Sequence, residues 1–258
     1  MNRKYALVDL KGGLGNQLFI VCFANYLKTN GFKVYLDTSF YKSKQQFPRD
    51  IEINLKNTKI KILNFKNNRI FFFLNTWFEE VKDLENYKFR FLNRFTGYYQ
   101  NFKFLTFNKD YLLNILNTQE IHIKKNRALI HVRRGDYMDL NENLHSSYYK
   151  KAIKKLLKYN PNIEFDIFTD DNNFFLDKDI FSSNTNIIFP SQNEKAIDVL
   201  RNMLGYEHYI IANSSFSLIA AYLSANTDTK IFYPDPWWRN YDVSIEEIPL
   251  SWIKINNE

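Results

Sequence analysis

The sequence predicts an α/β protein whose C-terminal half is a doubly wound parallel sheet. From residue 127 onward, short apolar segments typical of buried strands alternate with helical segments, the pattern of a parallel sheet covered by helices. Polar clusters follow several of these strands at their carboxyl ends, where open α/β sheets bind ligands. The chain also opens with a strand, a glycine-rich turn, a helix and a second strand.

The opening unit predicts an anion-binding turn. A strand at 4–9 leads into the turn 10–17, a mostly buried helix follows to residue 29, and a second strand covers 32–36. Such a turn places glycines and helix-start N–H groups beside a phosphate or carboxylate. It lacks the Gly-Lys-Ser/Thr of a Walker loop and the third glycine of the dinucleotide fingerprint. A purely structural turn is therefore the alternative.

The rest of the N-terminal half is basic and aromatic. Residues 41–69 are polar and rich in lysine, and an aromatic segment follows at 70–78. This combination suits an anionic membrane surface, with rings at the interface and lysines on head groups; the alternative is a solvated face followed by a core helix. Residues 97–104 predict a turn and an aromatic loop, and 108–117 predict a short helix before a connector that runs to about 126.

The C-terminal half predicts a regular series of elements. Asn160-Pro161 stops its first helix, because proline has no amide hydrogen to donate. A short helix is expected after Asp171. The predicted strands lie at 127–132, 164–169, 186–189, 207–212 and 230–233, and the other predicted helices at 146–159, 194–204 and 216–224.

Three regions follow from these elements and from the charge distribution. Residues 1–125 form the predicted N-terminal domain, 126–235 a second domain, and 236–258 a tail that packs back on the N-terminal domain. The first region holds 21 Lys and Arg against 10 Asp and Glu, whereas residues 126–258 hold 14 against 18. Basic and acidic halves indicate domains with different partners. Nucleic acid and an anionic membrane are candidates for the basic half.

Composition excludes several classes of protein. A hydrophobic content of 45% and an aromatic content of 17% indicate a globular protein. The single cysteine, Cys22, excludes an internal disulfide and a cysteine-based zinc site, and it fits a reducing compartment. The N-terminal apolar run is too short for a signal peptide, and no run approaches the ~20 apolar residues of a spanning helix. We therefore expect a cytoplasmic location.

The strand at 127–132 ends in a pair of arginines that suit a diphosphate. A sheet interior does not tolerate Arg133 and Arg134, so the strand ends before them. Guanidinium groups offer planar bidentate donors for phosphate oxygens, and we expect Gly135, which can take positive φ, to allow close backbone approach. The alternative is an arginine pair salt-bridged within a loop. Asp136 is expected mainly to pair with one of these arginines.

Four polar clusters are expected on one edge, at strand carboxyl ends: 12–17, 133–136, 170–171 and 213–217. The clusters at 170–171 and 213–217 are also typical of simple helix N-caps. Together they offer cations and helix-start N–H groups for a diphosphate, and carboxylates that accept from guanine N–H groups. Asp177 and Asp179 have the spacing of a metal-binding carboxylate pair, but their flanks predict a helix end, so we expect no metal.

Five motifs along the chain carry a family resemblance. They are Gly12-Gly-Leu-Gly-Asn-Gln17, Gly97-Tyr-Tyr-Gln100, His131-Val-Arg-Arg-Gly-Asp-Tyr137, Phe168-Thr-Asp-Asp171 and Ile211-Ala-Asn-Ser-Ser-Phe-Ser217. In this order they resemble glycosyltransferase family 11, the family of bacterial and animal α-1,2-fucosyltransferases. The resemblance implies a GT-B fold, in which two Rossmann-like domains face a cleft, with inversion at the anomeric carbon and no cofactor or metal. Residues 1–125 would then be the acceptor-side domain and 126–235 the donor-binding domain.

The resemblance also implies roles for individual residues. Arg133 would hold the β-phosphate and stabilise departing GDP, Arg134 would brace the loop, and His131 and Asp170 would lie by the guanine. Catalytic residues would be Arg133, Asp136 and His131, with the general base open among Asp136, Asp139, Glu142, His131 and His145. Donor-binding residues would be Gly13, Asn16, Gln17, His131, Arg133, Arg134, Asp170, Asn213, Ser214, Ser215, Phe216 and Ser217.

The expected function is transfer of L-fucose from GDP-β-L-fucose to the 2-hydroxyl of a galactose-type residue on a surface glycan such as O-antigen or capsule. The oligosaccharide acceptor could be lipid-linked, which would bring the basic domain to the inner face of the membrane. Another GDP-sugar or another linkage is the alternative within this fold. A basic nucleic-acid-binding protein is the alternative from another class; it would spread its positive charge along a groove, whereas here the arginines cluster at one strand end.

Overall fold

The computed structural model describes residues 4–63, 79–80, 92–171, 185–190, 194–241 and 245–257, and every structural statement below refers to these. The chain divides into two compact units, Met1–Asn117 and Thr118–Glu258. Among the described helices, none has both the length and the apolar character needed to cross a bilayer.

The first unit is a parallel sheet with helices. Its five strands follow the order β3-β2-β1-β5-β4. Helix α1 is buried over most of its length, and Phe23 in it contacts the rings of Phe95, Tyr99 and Phe104. The strands are β1 Tyr5–Asp9, β2 Lys33–Asp37, β3 Lys61–Leu63, β4 Glu79–Glu80 and β5 Leu92–Phe95; the helices are α1 Leu14–Thr29, α2 Phe102–Phe107 and α3 Lys109–Ile115, with 3₁₀ turns at Ser39–Lys42 and Leu55–Thr58.

The second unit contains a six-stranded parallel sheet in the order β11-β10-β9-β6-β7-β8. Counted along the chain, this is the strand order of the Rossmann fold, and it reverses between β6 and β9. Its strands are β6 Lys124–Val132, β7 Glu164–Thr169, β8 Thr185–Ile188, β9 Tyr206–Ile210, β10 Ile231–Asp235 and β11 Ile253–Asn256; its helices are α4 Gly135–Asp139, α5 Ser146–Tyr159, α6 Ala196–Asn202 and α7 Ser215–Ser224.

The core of the second unit fixes the central strands. Residues 128–132 of β6 are buried, and Ala128, Ile130 and Val132 belong to one core cluster with the buried face of α5. The fully buried Tyr148 of α5 donates its hydroxyl hydrogen toward the carbonyls of Ile211, at 2.6 Å, and Phe232, at 3.2 Å. Because a buried hydroxyl needs a partner, this tyrosine links α5 to the ends of β9 and β10.

The predicted fold class is confirmed: both units are Rossmann-like parallel α/β structures, as in the GT-B class. The boundary lies at 117/118 and not at 125/126. The predicted tail, 236–258, belongs to the second unit, where β11 pairs with β10 as the edge strand. This short strand was not predicted from the sequence.

Two short helices were not predicted. Residues 97–104 were expected to form a turn and a loop, yet α2 begins at Phe102, because the Asn101 side chain caps it by accepting from the Lys103 N–H at 2.7 Å. Helix α4 begins at Gly135, a residue with weak helix preference. The predicted short helix after Asp171, the carboxylates Asp177 and Asp179 and the aromatic segment 70–78 lie outside the described residues.

Candidate functional site

The switch point of the second sheet brings two of the predicted loops together. Strand β6 ends at Val132 and β9 at Ile210, and these neighbouring parallel strands run into residues 133–136 and 211–215 at the same edge. Open α/β sheets bind ligands in the crevice outside such a reversal of strand order. This edge is the candidate site.

Arg133 is held at this edge by two carboxylates. Its Nη1 lies 2.5 Å from Asp170 Oδ2, and its Nη2 forms an ion pair with Asp136 Oδ1. Burial would lower the pKa of Arg133, but the negative charges of Asp170 and Asp136 outweigh burial and raise it, so the guanidinium stays charged. The pairing expected for Asp136 is thereby confirmed. Asp170 contacts both arginines, and its expected place by the guanine stays a prediction.

Arg134 points to a different partner. Its Nε donates to Asp171 Oδ2 at 2.8 Å, and its backbone N–H donates to Asp170 Oδ1 at 2.8 Å. These bonds brace the loop, as the resemblance implied for Arg134.

Gly135 is needed for space. Its φ is not positive, so the conformational reason expected from the sequence is wrong. A Cβ at this position would lie 2.7 Å from Asp170 Oδ2, too close for a nonbonded contact. Glycine therefore lets Asp170 reach both arginines.

His131 is a neutral, buried imidazole at the end of β6. Only 6% of its surface is exposed, and burial together with the nearby Arg133 charge lowers its pKa from 6.5 to about 3. Within the described residues, its Nδ1 has no hydrogen-bond partner. Its ring centroid lies 6.1 Å from that of Phe216. A neutral imidazole can donate or accept one hydrogen bond to a ligand but is not a general base at this pKa.

The loop after β9 starts helix α7. Ser214 caps it by accepting from the Phe216 N–H at 3.4 Å, and Ser215 and Phe216 are half-buried. Ser217 is fully buried and its hydroxyl donates to the Ser214 carbonyl at 3.4 Å. The donor-binding role expected for Ser217 stays a prediction. The buried Asn213 donates to the Glu142 carbonyl at 2.9 Å.

In the first unit, the glycine-rich loop is braced internally. The buried Gln17 amide donates to the carbonyls of Gly12, at 3.0 Å, and Asp50, at 2.8 Å, and accepts from the Glu52 N–H at 3.0 Å. These bonds use the Gln17 amide within the unit, and its expected donor-binding role stays a prediction. Asn16 accepts from the Gln100 side chain at 2.7 Å, and Gly13 is the N-cap of α1.

The candidate bases differ in environment. Asp136 is paired with Arg133, Glu142 is fully buried, and His131 has a pKa of about 3. His145 Nε2 lies 2.5 Å from Arg239 Nη1. Asp139 is exposed on α4. The described residues contain no group of three His, Cys, Asp or Glu side chains that could hold a metal ion.

Sequence reasoning gave no role to Tyr137 or Trp238 at this edge, and it named Glu142 only as a candidate base. Tyr137 lies beside Arg133, whose Cζ is 5.4 Å from the ring centroid, and its hydroxyl donates to the Asn213 carbonyl at 3.0 Å. Trp238 contacts Tyr137, with centroids 5.3 Å apart. Glu142 accepts from the N–H groups of Arg239 and Asn240, at 2.9 and 2.7 Å. The adjacent Trp237 and Trp238 are a visible signal in the sequence, but the contacts of Glu142 join positions about 100 residues apart, which no local pattern predicts.

Comparison with known proteins agrees with these motifs. The model of "Glycosyl transferase family 11" matches residues 6–244. An "Alpha-1,2-colitosyltransferase" of Escherichia coli is 27% identical to the chain, over 95% of this chain and 97% of the relative. The "O-antigen biosynthesis glycosyltransferase WbnK" of Escherichia coli is 26% identical, over 95% and 99%.

Among solved structures, the fucosyltransferase NodZ from Bradyrhizobium aligns over 93% of this chain and 98% of its own, with 13% identity and a TM-score of 0.47. The family match covers most of the sequence and includes the arginine loop, the Asp170 loop and the start of α7. The chain therefore belongs to glycosyl transferase family 11.

Proposed function

We propose that the protein transfers a deoxyhexose, L-fucose in the first instance, from a GDP-sugar to the 2-hydroxyl of a galactose-type residue in a surface polysaccharide such as O-antigen. The reaction proceeds with inversion and forms an α-1,2 linkage. Membership in the family supports glycosyl transfer, and the names of the two relatives support an α-1,2 linkage and an O-antigen product.

The observation that carries the proposal is the fixed cation at the switch point. Arg133 is oriented by Asp136 and Asp170 before any ligand arrives. Its position next to the start of α7, whose backbone N–H groups also favour anions, suits the diphosphate of a nucleotide sugar.

The chemistry follows from this cation. The acceptor hydroxyl oxygen forms a bond to the anomeric carbon while the bond from that carbon to the diphosphate oxygen breaks, and the leaving GDP takes up the electron pair. Negative charge therefore grows on the β-phosphate, where Arg133 would stabilise it. Preorganised charge of this kind needs no rearrangement during the reaction. The proton of the acceptor hydroxyl must pass to a base.

The donor has a specific alternative. Colitose is L-fucose without its 3-hydroxyl, and one relative is named as an α-1,2-colitosyltransferase. A site that hydrogen-bonds the 3-hydroxyl would reject colitose strongly, whereas a site with an apolar wall there would accept both.

The experiment is a donor screen. GDP-fucose, GDP-colitose, GDP-mannose and UDP-galactose are compared for thermal stabilisation and then for hydrolysis and for transfer to methyl β-galactoside. We expect GDP-deoxyhexoses to stabilise the protein, by about 2.7 kcal/mol at a concentration of 100 Kd, and to be the sugars transferred. Stabilisation by UDP-galactose without stabilisation by GDP-sugars would reject the proposal.

Two further proposals concern conditions and location. We propose that transfer needs no metal, so EDTA should leave turnover unchanged; inhibition reversed by manganese would instead direct attention to Asp177 and Asp179. We also propose that the enzyme works in the cytoplasm at the inner face of the membrane, with the basic segment 41–78 on anionic lipid. Liposomes rich in anionic lipid should then carry the protein upward in flotation, and failure to float would reject this docking.

A further inference from the structure

A series of three aromatic rings extends outward from Arg133. Tyr137 lies beside the guanidinium, Trp238 contacts Tyr137 at 5.3 Å between centroids, and Tyr241 contacts Trp238 at 5.5 Å. Exposure increases along the series: Tyr137 and Trp238 are half-buried, and Tyr241 is 49% exposed. We call these three residues the aromatic platform. It begins where the diphosphate is proposed to bind and ends in solvent.

The loop that carries the platform is held by a buried carboxylate. Glu142 is fully buried, and its two oxygens accept from the N–H groups of Arg239 and Asn240, the residues between Trp238 and Tyr241. The Arg239 guanidinium adds bonds to the carbonyls of Asn141 at 3.0 Å and Asn143 at 2.8 Å. Burying a carboxyl group to hold a surface loop costs desolvation free energy, which an apolar contact would not. The gain is a fixed orientation for the rings.

The same carboxylate residue joins the platform to the site. The Glu142 carbonyl accepts from the Asn213 side chain, and the Asn213 carbonyl accepts from the Tyr137 hydroxyl at 3.0 Å. The loops that follow β6, β9 and β10 are thus connected at one edge of the second sheet. The rings are therefore held at a fixed position relative to Arg133.

We propose that the aromatic platform binds the acceptor sugar, stacking a pyranose ring of the glycan beside the reaction centre. This inference rests on the proposed function. A pyranose has a face of C–H groups that packs on an indole or phenol ring, while its hydroxyls stay free to bond at the ring edge. Exposed polar groups flank the platform for that purpose, namely Asp139, Asn141 and Asn240.

The test separates acceptor binding from donor binding. Trp238→Leu and Tyr241→Ser are compared with wild type and with Tyr159→Ser, which removes a 61% exposed ring on the last turn of α5. For each protein, KM for methyl β-galactoside, kcat, the Kd of GDP and the hydrolysis of GDP-fucose without acceptor are measured. Saturation-transfer NMR with GDP present follows sugar binding without turnover.

We expect Trp238→Leu to raise the acceptor KM about tenfold, a factor that corresponds to ~1.4 kcal/mol, and Tyr241→Ser to raise it several-fold. The Kd of GDP and donor hydrolysis should change less than twofold, and Tyr159→Ser should behave as wild type. Because Tyr241 is exposed, its variant keeps the test valid even where Trp238→Leu folds poorly.

An unchanged acceptor KM in both variants would overturn the inference, as would failure of wild-type protein to bind the galactoside. Weaker GDP binding in the variants would overturn it too, since the rings would then stack on the nucleoside. Failure of the proposed function looks different: wild-type protein would bind no GDP and hydrolyse no GDP-sugar.

Discussion

Adjacent arginines at the end of β6 offer a matched pair of variants. Arg133 and Arg134 have similar side-chain exposure, 22% and 27%, and each pairs with a carboxylate of the 170–171 loop. Their side chains contact different carboxylates. Arg133 contacts both Asp136 and Asp170, whereas the Arg134 side chain contacts Asp171. Removing each in turn therefore separates stabilisation of the leaving group from bracing of the loop.

The expected loss of kcat in each variant follows from these contacts. Arg133→Ala withdraws the donor to the departing diphosphate, which costs ~3–4 kcal/mol or on the order of 10²–10³ in kcat. It also leaves Asp136 and Asp170 without their cation next to a polyanion, so this factor is a lower bound. Arg134→Ala breaks a partly exposed ion pair worth up to ~1 kcal/mol. We therefore expect kcat to fall by no more than about fivefold.

The assay is transfer of labelled fucose from GDP-fucose to methyl β-galactoside, with circular dichroism and the Kd of GDP measured on the same preparations. Arg133→Lys is a third variant; it keeps the charge but loses the bidentate fork, so we expect an intermediate loss. Retention of more than about a tenth of wild-type turnover by Arg133→Ala would refute the role of Arg133. Equal losses in the Arg133 and Arg134 alanine variants would also refute the distinction drawn between them.

Three further predictions follow. Gly135→Ala should lower kcat by roughly ten- to a hundredfold, with little change in Tm, because the added Cβ displaces the end of the Asp170 side chain; steady-state kinetics that match wild type would contradict this. His131 has a pKa lowered to about 3 in the folded state, so the unfolded chain binds the proton more tightly and stability is lost as pH falls below ~6.5; from pH 7 to 5 the loss is about 2 kcal/mol. Denaturation curves of wild type and His131→Gln at both pH values measure this loss, which should be about 2 kcal/mol smaller in the variant. Glu142→Gln should destabilise the protein by ~2 kcal/mol, because an amide cannot accept from two backbone N–H groups in the same geometry; an unchanged Tm would reject the bracing role.

Local patterns were enough to predict most of the second sheet. Helix 146–159 and strand 164–169 were predicted with the bounds that the structure has, since Asn160-Pro161 and the apolar run are unambiguous signals. The edge strand β11 was missed, because it is four residues long and is defined by its pairing with β10, which the local sequence does not predict. Helix α4 was missed because it begins at a glycine.

The candidate site was predicted at the level of strand ends, and the structure adds the side-chain contacts. Arg133 and Arg134 follow β6 and pair with carboxylates, as expected of charged residues at the end of a buried strand. Gln17 and Ser217, which were assigned to the donor, are buried and hydrogen-bonded within the protein, which their sequence context does not reveal. The links through Glu142 depend on contacts about 100 residues apart, which no local pattern predicts.

A crystal structure with GDP tests the central claim most directly. The account predicts that the β-phosphate lies within hydrogen-bond distance of the Arg133 guanidinium, with the start of α7 close by, at the edge where β6 and β9 end. GDP bound at another edge of the second sheet, or in the first unit with Arg133 still paired only to Asp136 and Asp170, would contradict it.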